Sequence, residues 1–237
     1  KHLAFPAVAT TWRAQKMAKP EATTLYCKAG PDGVSLGDCP FAHSVQMALG
    51  LKNVKYEVVP CTKDTKPSWL LEELDGKMPC VCHRGEPHVE TAEILAWIDR
   101  EFAAPALAPP AEAAEKMKSL GIFPAIAGFT KNTDEAADAE KRKKLVAALS
   151  QLGTHLGAGD GFLAGPEPSL LDCDILPKLY VLSVATAHFK GFHLEDVVDG
   201  GEALRAYFSR GCALPAFAAG AYDKETCLWG WAQARGA

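Results

Sequence analysis

The sequence predicts two units in one chain: an α/β unit over residues 23–104 and an all-α unit over 112–237. Three observations predict this. Short β-type runs alternate with helical apolar spacings between residues 23 and 102. A Pro/Ala-rich stretch at 103–111 interrupts the pattern, as a linker does. Beyond it the apolar spacing is helical, with no convincing alternating run. At 237 residues the chain has room for one large domain or two modest ones.

Each element has its own local signal. Thr24–Cys27 is a short β-type run, and a loop rich in Gly, Pro and Asp follows from Gly30 to Gly37. Asp38-Cys39-Pro40 opens a helix whose apolar face is Phe41, Val45, Ala48 and Leu49. Val54, Tyr56 and Val58 alternate with polar neighbours, which predicts a half-buried strand. Pro67 begins a short helix, since proline suits a first helical turn. Met78–Cys82 and His88-Val89 predict two strands around an Arg84-Gly85-Glu86-Pro87 turn. Thr91 then caps a helix to about Phe102, with Ile94, Leu95 and Ile98 inward. In the all-α unit, helices are expected near 112–128, 135–156, 170–189, 200–209 and 213–221. Ser169-Leu-Leu-Asp172 is a capping-box-like start for the third of these, with Asp in place of Glu or Gln.

Composition narrows the function classes. Hydrophobic residues make up 48% and charged residues 23%, which excludes wholesale disorder. The longest uncharged stretch, Leu145–Gly159, contains Gln151, His155 and glycines, and is too short to span a membrane. The net charge of −4, with no long basic block, argues against a nucleic-acid partner. Residues 1–22 read as a leader: Lys1, Arg13, Lys16 and Lys19 occur there in Ala/Thr-rich sequence, and no acid falls before residue 21. Such a segment is similar to the tail of an organelle transit peptide, and Met17 offers the start of a shorter form.

The 8 cysteines stand at 27, 39, 61, 80, 82, 173, 212 and 227. A chain this long can build a core without disulfides, and no Cys-x-x-Cys occurs, so free thiols are expected. Cys80, Cys82 and His83 carry zinc-ligand chemistry, but two cysteines one residue apart in a strand share one buried face. No metal site is expected. No phosphate-binding glycine loop, nucleophile elbow or zinc-protease motif is present. Cys39 is different. It lies where a loop meets the first turn of a helix, and unpaired N–H groups with the positive dipole end favour a thiolate there. Asp38 opposes that thiolate by repulsion, yet can cap the helix or move protons. Lys28, at the end of the first strand, is within reach of the sulfur across a short return loop.

A second feature joins this one. In a thioredoxin-like unit a cis-proline precedes the third strand, and Met78-Pro79 holds that place. Extended backbone before such a proline pairs with a peptide-like thiol, and the following helix start holds its charged ends. Glu90 can accept an α-ammonium group there, and the Thr91 hydroxyl and amides can bind a carboxylate. Glutathione carries both groups.

These residues resemble the glutathione transferase superfamily, most closely its plant and green-algal dehydroascorbate reductase class. The resemblance runs from about Leu25 to Gly230. It rests on Leu36-Gly-Asp-Cys-Pro-Phe41, Lys66-Pro-Ser-Trp69, Gly76-Lys-Met-Pro79, Pro177-Lys-Leu-Tyr180 and His188-Phe-Lys190. It implies the glutathione transferase architecture, with Cys39 as nucleophile and Lys28 and Asp38 flanking the dehydroascorbate pocket. Phe41, Lys66, Met78, Pro79, Glu90 and Thr91 would line the glutathione site. Glutathione would be a co-substrate, with no permanently bound cofactor. The reaction implied is ping-pong reduction of dehydroascorbate to ascorbate, an antioxidant recycling step. A monomer is implied. The leader points to the chloroplast, with the cytoplasm as the alternative, and the lack of an apolar segment long enough to insert argues against a membrane. Three positions depart from the class: Ala42-His43-Ser44 after the nucleophile, a Lys28–Cys39 loop one residue shorter, and Met78 where Val is usual. With no second cysteine in that turn, a monothiol mechanism is favoured. The alternatives are a thioltransferase or omega-like transferase on another acceptor, a non-catalytic glutathione binder, and a membrane-inserting relative of the chloride intracellular channel proteins.

Overall fold

A computed structural model describes residues 18–236. Most of the expected leader, with Lys1, Arg13, Lys16 and Met17, lies outside the described residues. The α/β part runs β1 (Thr24–Lys28), α1 (Pro40–Leu51), β2 (Glu57–Cys61), α2 (Ser68–Leu74), β3 (Cys80–His83), β4 (Glu86–His88) and α3 (Thr91–Glu101). The sheet order is β2-β1-β3-β4; β1 pairs parallel with β2 and antiparallel with β3. Side chains alternate across the sheet as strand geometry requires. Leu25, Cys27 and Val81 face α1 and α3. Tyr26, Cys80 and Cys82 face Trp69 and Leu70 of α2. Cys80 and Cys82 thus share one buried apolar face. Among the described residues, no three His, Cys, Asp or Glu side chains gather as a metal site would need.

The second part is helical: α4 (Ala111–Ser119), α5 (Ile122–Thr130), α6 (Glu135–Leu156), α7 (Leu170–Val181), α8 (Ala187–Lys190), α9 (Gly201–Cys212), α10 (Pro215–Gly220) and α11 (Lys224–Arg235). A π-helical turn, Leu182–Thr186, joins α7 to α8. Among the described residues no helix is long and apolar enough to cross a membrane. The capping box at α7 forms: the Asp172 carboxylate accepts from the Ser169 N–H and O–H, both at 2.8 Å. It accepts further from the Leu163 N–H and the Tyr207 hydroxyl.

Several boundaries differ from the sequence reading, each for a physical reason. β2 starts at Glu57, because the Val54 N–H is used in closing α1 on the Leu49 carbonyl, at 3.0 Å. The β3–β4 turn is only Arg84-Gly85, with φ of 50° and 77°; this two-residue primed turn leaves Glu86 and Pro87 in the edge strand. Glu90, not Thr91, is the N-cap of α3, and Thr91 is its first residue. The expected 112–128 helix breaks between α4 and α5 at Gly121, which takes a left-handed φ of 59°. The 170–189 helix runs as one rod but through the π-turn. α11 was not among the expected helices, although Asp223 caps it through the Thr226 N–H and Cys227 and Trp231 form its buried face.

The placement of α1 decides the site. Its residues from Ala42 to Leu49 are all buried, so both its faces are covered. Leu25, Cys27 and Val81 of the sheet share one core with Val45, Ala48 and Leu49 of α1, and α7 and α10 pack along the helix as well. The His43 ring bonds the Phe217 carbonyl at 2.8 Å, and Gly50 packs against Ala216.

Candidate active site

The return loop brings Cys39 to the end of β1. Gly37 donates its N–H to the Lys28 carbonyl at 2.8 Å. A Cβ at Gly37 would lie 2.6 Å from the Ala29 oxygen, so only glycine allows the chain to turn back this closely. Asp32 holds the loop by accepting from the Val34 and Ser35 N–H groups and the Ser35 hydroxyl. Cys39 then stands at the N-cap of α1 with extended backbone (φ −86°, ψ 108°), and Pro40 takes the first helical position, where its missing N–H costs nothing.

The thiol is half-buried beside a charge pair. Lys28 Nζ donates to Asp38 Oδ1 at 2.5 Å. Asp38 is 8% exposed, while the Lys28 side chain is 44% exposed, so the ammonium remains reachable from solvent. Burial pushes the Cys39 thiol up; the Ala42 and Phe41 amides pull it down, Asp38 pushes it up and Lys28 pulls it down, leaving it above the ordinary thiol value. The expected favour of the helix start toward thiolate is therefore present but outweighed by desolvation. Lys28 is tied to the neighbouring carboxylate rather than committed to the sulfur.

The remaining thiols sit in apolar surroundings. All 8 cysteines are free. Burial pushes Cys27, Cys80 and Cys227 up to about 12 and Cys212 up to about 11. Cys61, Cys82 and Cys173 are likewise raised by burial.

A cleft of about 450 Å³ is lined by Phe41, two residues beyond Cys39, with Lys77, Met78, Pro79, Glu90 and Thr91. The Met78–Pro79 peptide is cis, as the thioredoxin-like reading expects. Glu90 has φ 62°, an unfavourable conformation for a residue with a Cβ. Its carboxylate meets the Lys77 ammonium at 3.0 Å, so the acid expected to receive an α-ammonium already faces a cation. Five of the six expected cleft residues gather here. Lys66 does not line the cleft: its ammonium donates to the Gly76 carbonyl at 2.6 Å, supporting the turn ahead of Met78.

Other side chains complete the surroundings without having been foreseen. Phe41 packs edge-on against Phe123 of α5 at 4.9 Å, and Lys178 of α7 lies 5.9 Å over the Phe41 ring. Trp229 of α11 lies with its ring 5.2 Å from Lys28 Nζ, and Gly230 packs on the Asp38 carboxylate. Lys77 was legible as a neighbour of the proline. The α11 residues lie beyond the last helix that apolar spacing predicts, although Asp223 followed by Glu225 is a helix-start signal.

A thiol at the start of the first helix and a cis-proline at the head of an antiparallel strand, in a β-α-β-α-β-β-α unit followed by helices, define a thioredoxin-like protein with a helical extension. The family model for "Glutathione S-transferase, N-terminal domain" matches residues 34–106, and that for the C-terminal domain matches residues 96–210. The chain is 34% identical over 203 residues to the rice (Oryza sativa subsp. japonica) protein "Probable glutathione S-transferase DHAR1, cytosolic", covering 84% of this chain and 91% of that one. To the Arabidopsis thaliana "Glutathione S-transferase DHAR3, chloroplastic" it is 27% identical, over 83% of this chain and 74% of that one. The crystal structure of Chlamydomonas reinhardtii dehydroascorbate reductase superposes with a TM-score of 0.76 at 29% identity, covering 90% of this chain and 98% of that one. The chain belongs to the glutathione S-transferase family.

Proposed function

We propose that the protein reduces dehydroascorbate to ascorbate with two molecules of glutathione, through Cys39 as its single catalytic thiol. The observation that carries this is Cys39 at the start of α1, beside the Lys28–Asp38 pair and two residues before Phe41 of the Met78-Pro79 cleft, with no second cysteine in its turn. The names of the rice relative and of the algal structure support the choice of substrate.

The steps balance as follows. Cys39 attacks dehydroascorbate as thiolate; with one water consumed, ascorbate leaves and the sulfur remains as sulfenic acid. A first glutathione condenses with it, releasing the water and forming a mixed disulfide. A second glutathione thiolate attacks the glutathione sulfur, oxidised glutathione departs, and Cys39 is regenerated. Lys28 stabilises the oxyanion that develops on the substrate. Asp38, bonded to that ammonium, moves protons to and from it. Phe41, Met78, Pro79, Glu90 and Thr91 bind glutathione, with Glu90 exchanging Lys77 for the α-ammonium of the ligand. Lys66 acts on this site through the Gly76 turn. Residues 23–104 form the glutathione-binding unit and 112–237 the helical unit, a division supported by the meeting of the two family models near residue 100.

The cytosol is favoured as compartment over the chloroplast, since the 34% identical rice relative is named cytosolic and the chloroplastic one is 27% identical. The working form is a monomer, which light scattering on a sizing column checks. For the activity, Cys39→Ser is expected to abolish glutathione-dependent dehydroascorbate reduction while leaving glutathione binding intact. Residual turnover near wild type would sink the assignment. Faster turnover of a mixed disulfide or an aryl halide than of dehydroascorbate would move the function to a thioltransferase or a conjugating enzyme.

A further inference from the structure

Gly230 sits in the interior of α11 and is buried, at a position where alanine is the stronger helix former. No turn or left-handed conformation there calls for glycine. The reason lies across the interface: a Cβ at Gly230 would overlap Asp38, whose Cγ, Oδ1 and Oδ2 are the three atoms nearest to it. The adjacent Trp229 places its ring 5.2 Å from the ammonium of Lys28, the partner of that same carboxylate. Consecutive residues of α11 thus face the two charges beside Cys39. The helix is itself well anchored. Asp223 caps its start, Arg235 near its end donates to the Thr130 and Asn132 carbonyls, and Lys131 lies 5.7 Å over the Trp231 ring.

We infer that Gly230 is a positioning residue: the bare backbone of α11 is the wall that sets the Asp38 carboxylate, and with Trp229 it holds the Lys28–Asp38 pair beside Cys39. The C-terminal helix, rather than the α/β unit alone, thereby fixes the charges on the acceptor side of the thiol. The part of this inference that concerns turnover rests on the function proposed above; the part that concerns placement does not.

The test is a thermal-unfolding cycle of wild type, Gly230→Ala, Asp38→Ala and the double variant. The added methyl is expected to lower Tm in the wild-type background, and to leave it unchanged or raise it once the carboxylate is gone. Equal shifts in both backgrounds would overturn the inference. Should G230A fail to fold, folding of the double variant supports the inference and its failure overturns it. A chemical readout accompanies the cycle: the pH profile of iodoacetamide alkylation at Cys39, read on its peptide by mass spectrometry. The G230A midpoint is expected to move in the same direction as that of D38A; an unmoved midpoint counts against positioning. In turnover, G230A is expected to lose about tenfold or more in kcat for dehydroascorbate, with the KM for glutathione unchanged. If wild type turns over no dehydroascorbate while the cycle and alkylation behave as expected, the proposed function fails and the positioning role stands.

Discussion

Cys39 and its seven companions share a residue type and differ in address. The strand thiols Cys27, Cys80 and Cys82 alternate into apolar faces, where burial outweighs what the Lys19 ammonium and one amide each return to Cys80 and Cys82. Cys39 alone stands at a helix start, with two amides and an ammonium working against its burial. His43, one turn further on, shows the same contest with only the Phe217 carbonyl working against burial. It is fully buried among Phe217, Tyr180 and Tyr222, bonds only the Phe217 carbonyl, and burial pulls its pKa down to about 4. The unfolded chain therefore binds a proton at this site between pH 6.5 and 4 that the folded chain refuses, so stability is whole above about pH 6.5 and falls as the pH drops toward 4. A depression from 6.5 to about 4 corresponds to ~3 kcal/mol. Denaturant titrations at pH 7 and pH 4.5 should show this loss, and His43→Gln, which keeps a donor for Phe217, should flatten the difference between them.

At the scale of elements, α7 and α1 show two kinds of local signal. The Ser169–Asp172 box was legible in four residues, because capping is a contact between near neighbours. What four residues do not reveal is that the Asp172 carboxylate also collects Leu163 and Tyr207, tying α7 to the preceding loop and to α9. Asp172→Ala would leave these buried donors unpaired at a cost of roughly 3 kcal/mol or more. For a chain of this size that corresponds to a fall in Tm of roughly 6–12 °C. Tyr207→Phe, which removes one donor only, should cost less, and calorimetry on both variants checks the order. For α1, the apolar spacing identified one inward face. The polar positions Ser44 and Gln46 are buried as well, which periodicity cannot announce. Gln46 lies against Gly220 of α10, and the Ser44 hydroxyl satisfies itself on the Pro40 carbonyl.

For the whole molecule, this burial makes the α/β part dependent on the helical part. Without α7 and α10, a fragment of residues 18–106 would expose the side of α1 that carries Gly50, Gln46 and the His43 ring, which pack on Ala216, Gly220 and Phe217 of α10. Such a fragment is expected to lack a cooperative unfolding transition and to lose the near-UV circular dichroism of the full chain. A fragment with a sharp transition and a native-like aromatic spectrum would show that the thiol unit carries its own stability.

Sequence alone determined the order of strands and helices up to Phe102, the loop that returns to Cys39, the proline that faces it and the capping of α7. All of these are written in spacings of a few residues, within which backbone geometry leaves few choices. Only the tertiary structure decided that Lys28 is held by Asp38, that Lys77 occupies Glu90, that Lys66 supports a turn instead of lining the cleft, and that Gly230 and Trp229 from the last helix stand against the charges beside the thiol. Those meetings join opposite ends of the chain or rival partners for one charge. They are settled by how whole helices pack and by how much water that packing removes, quantities no local pattern carries.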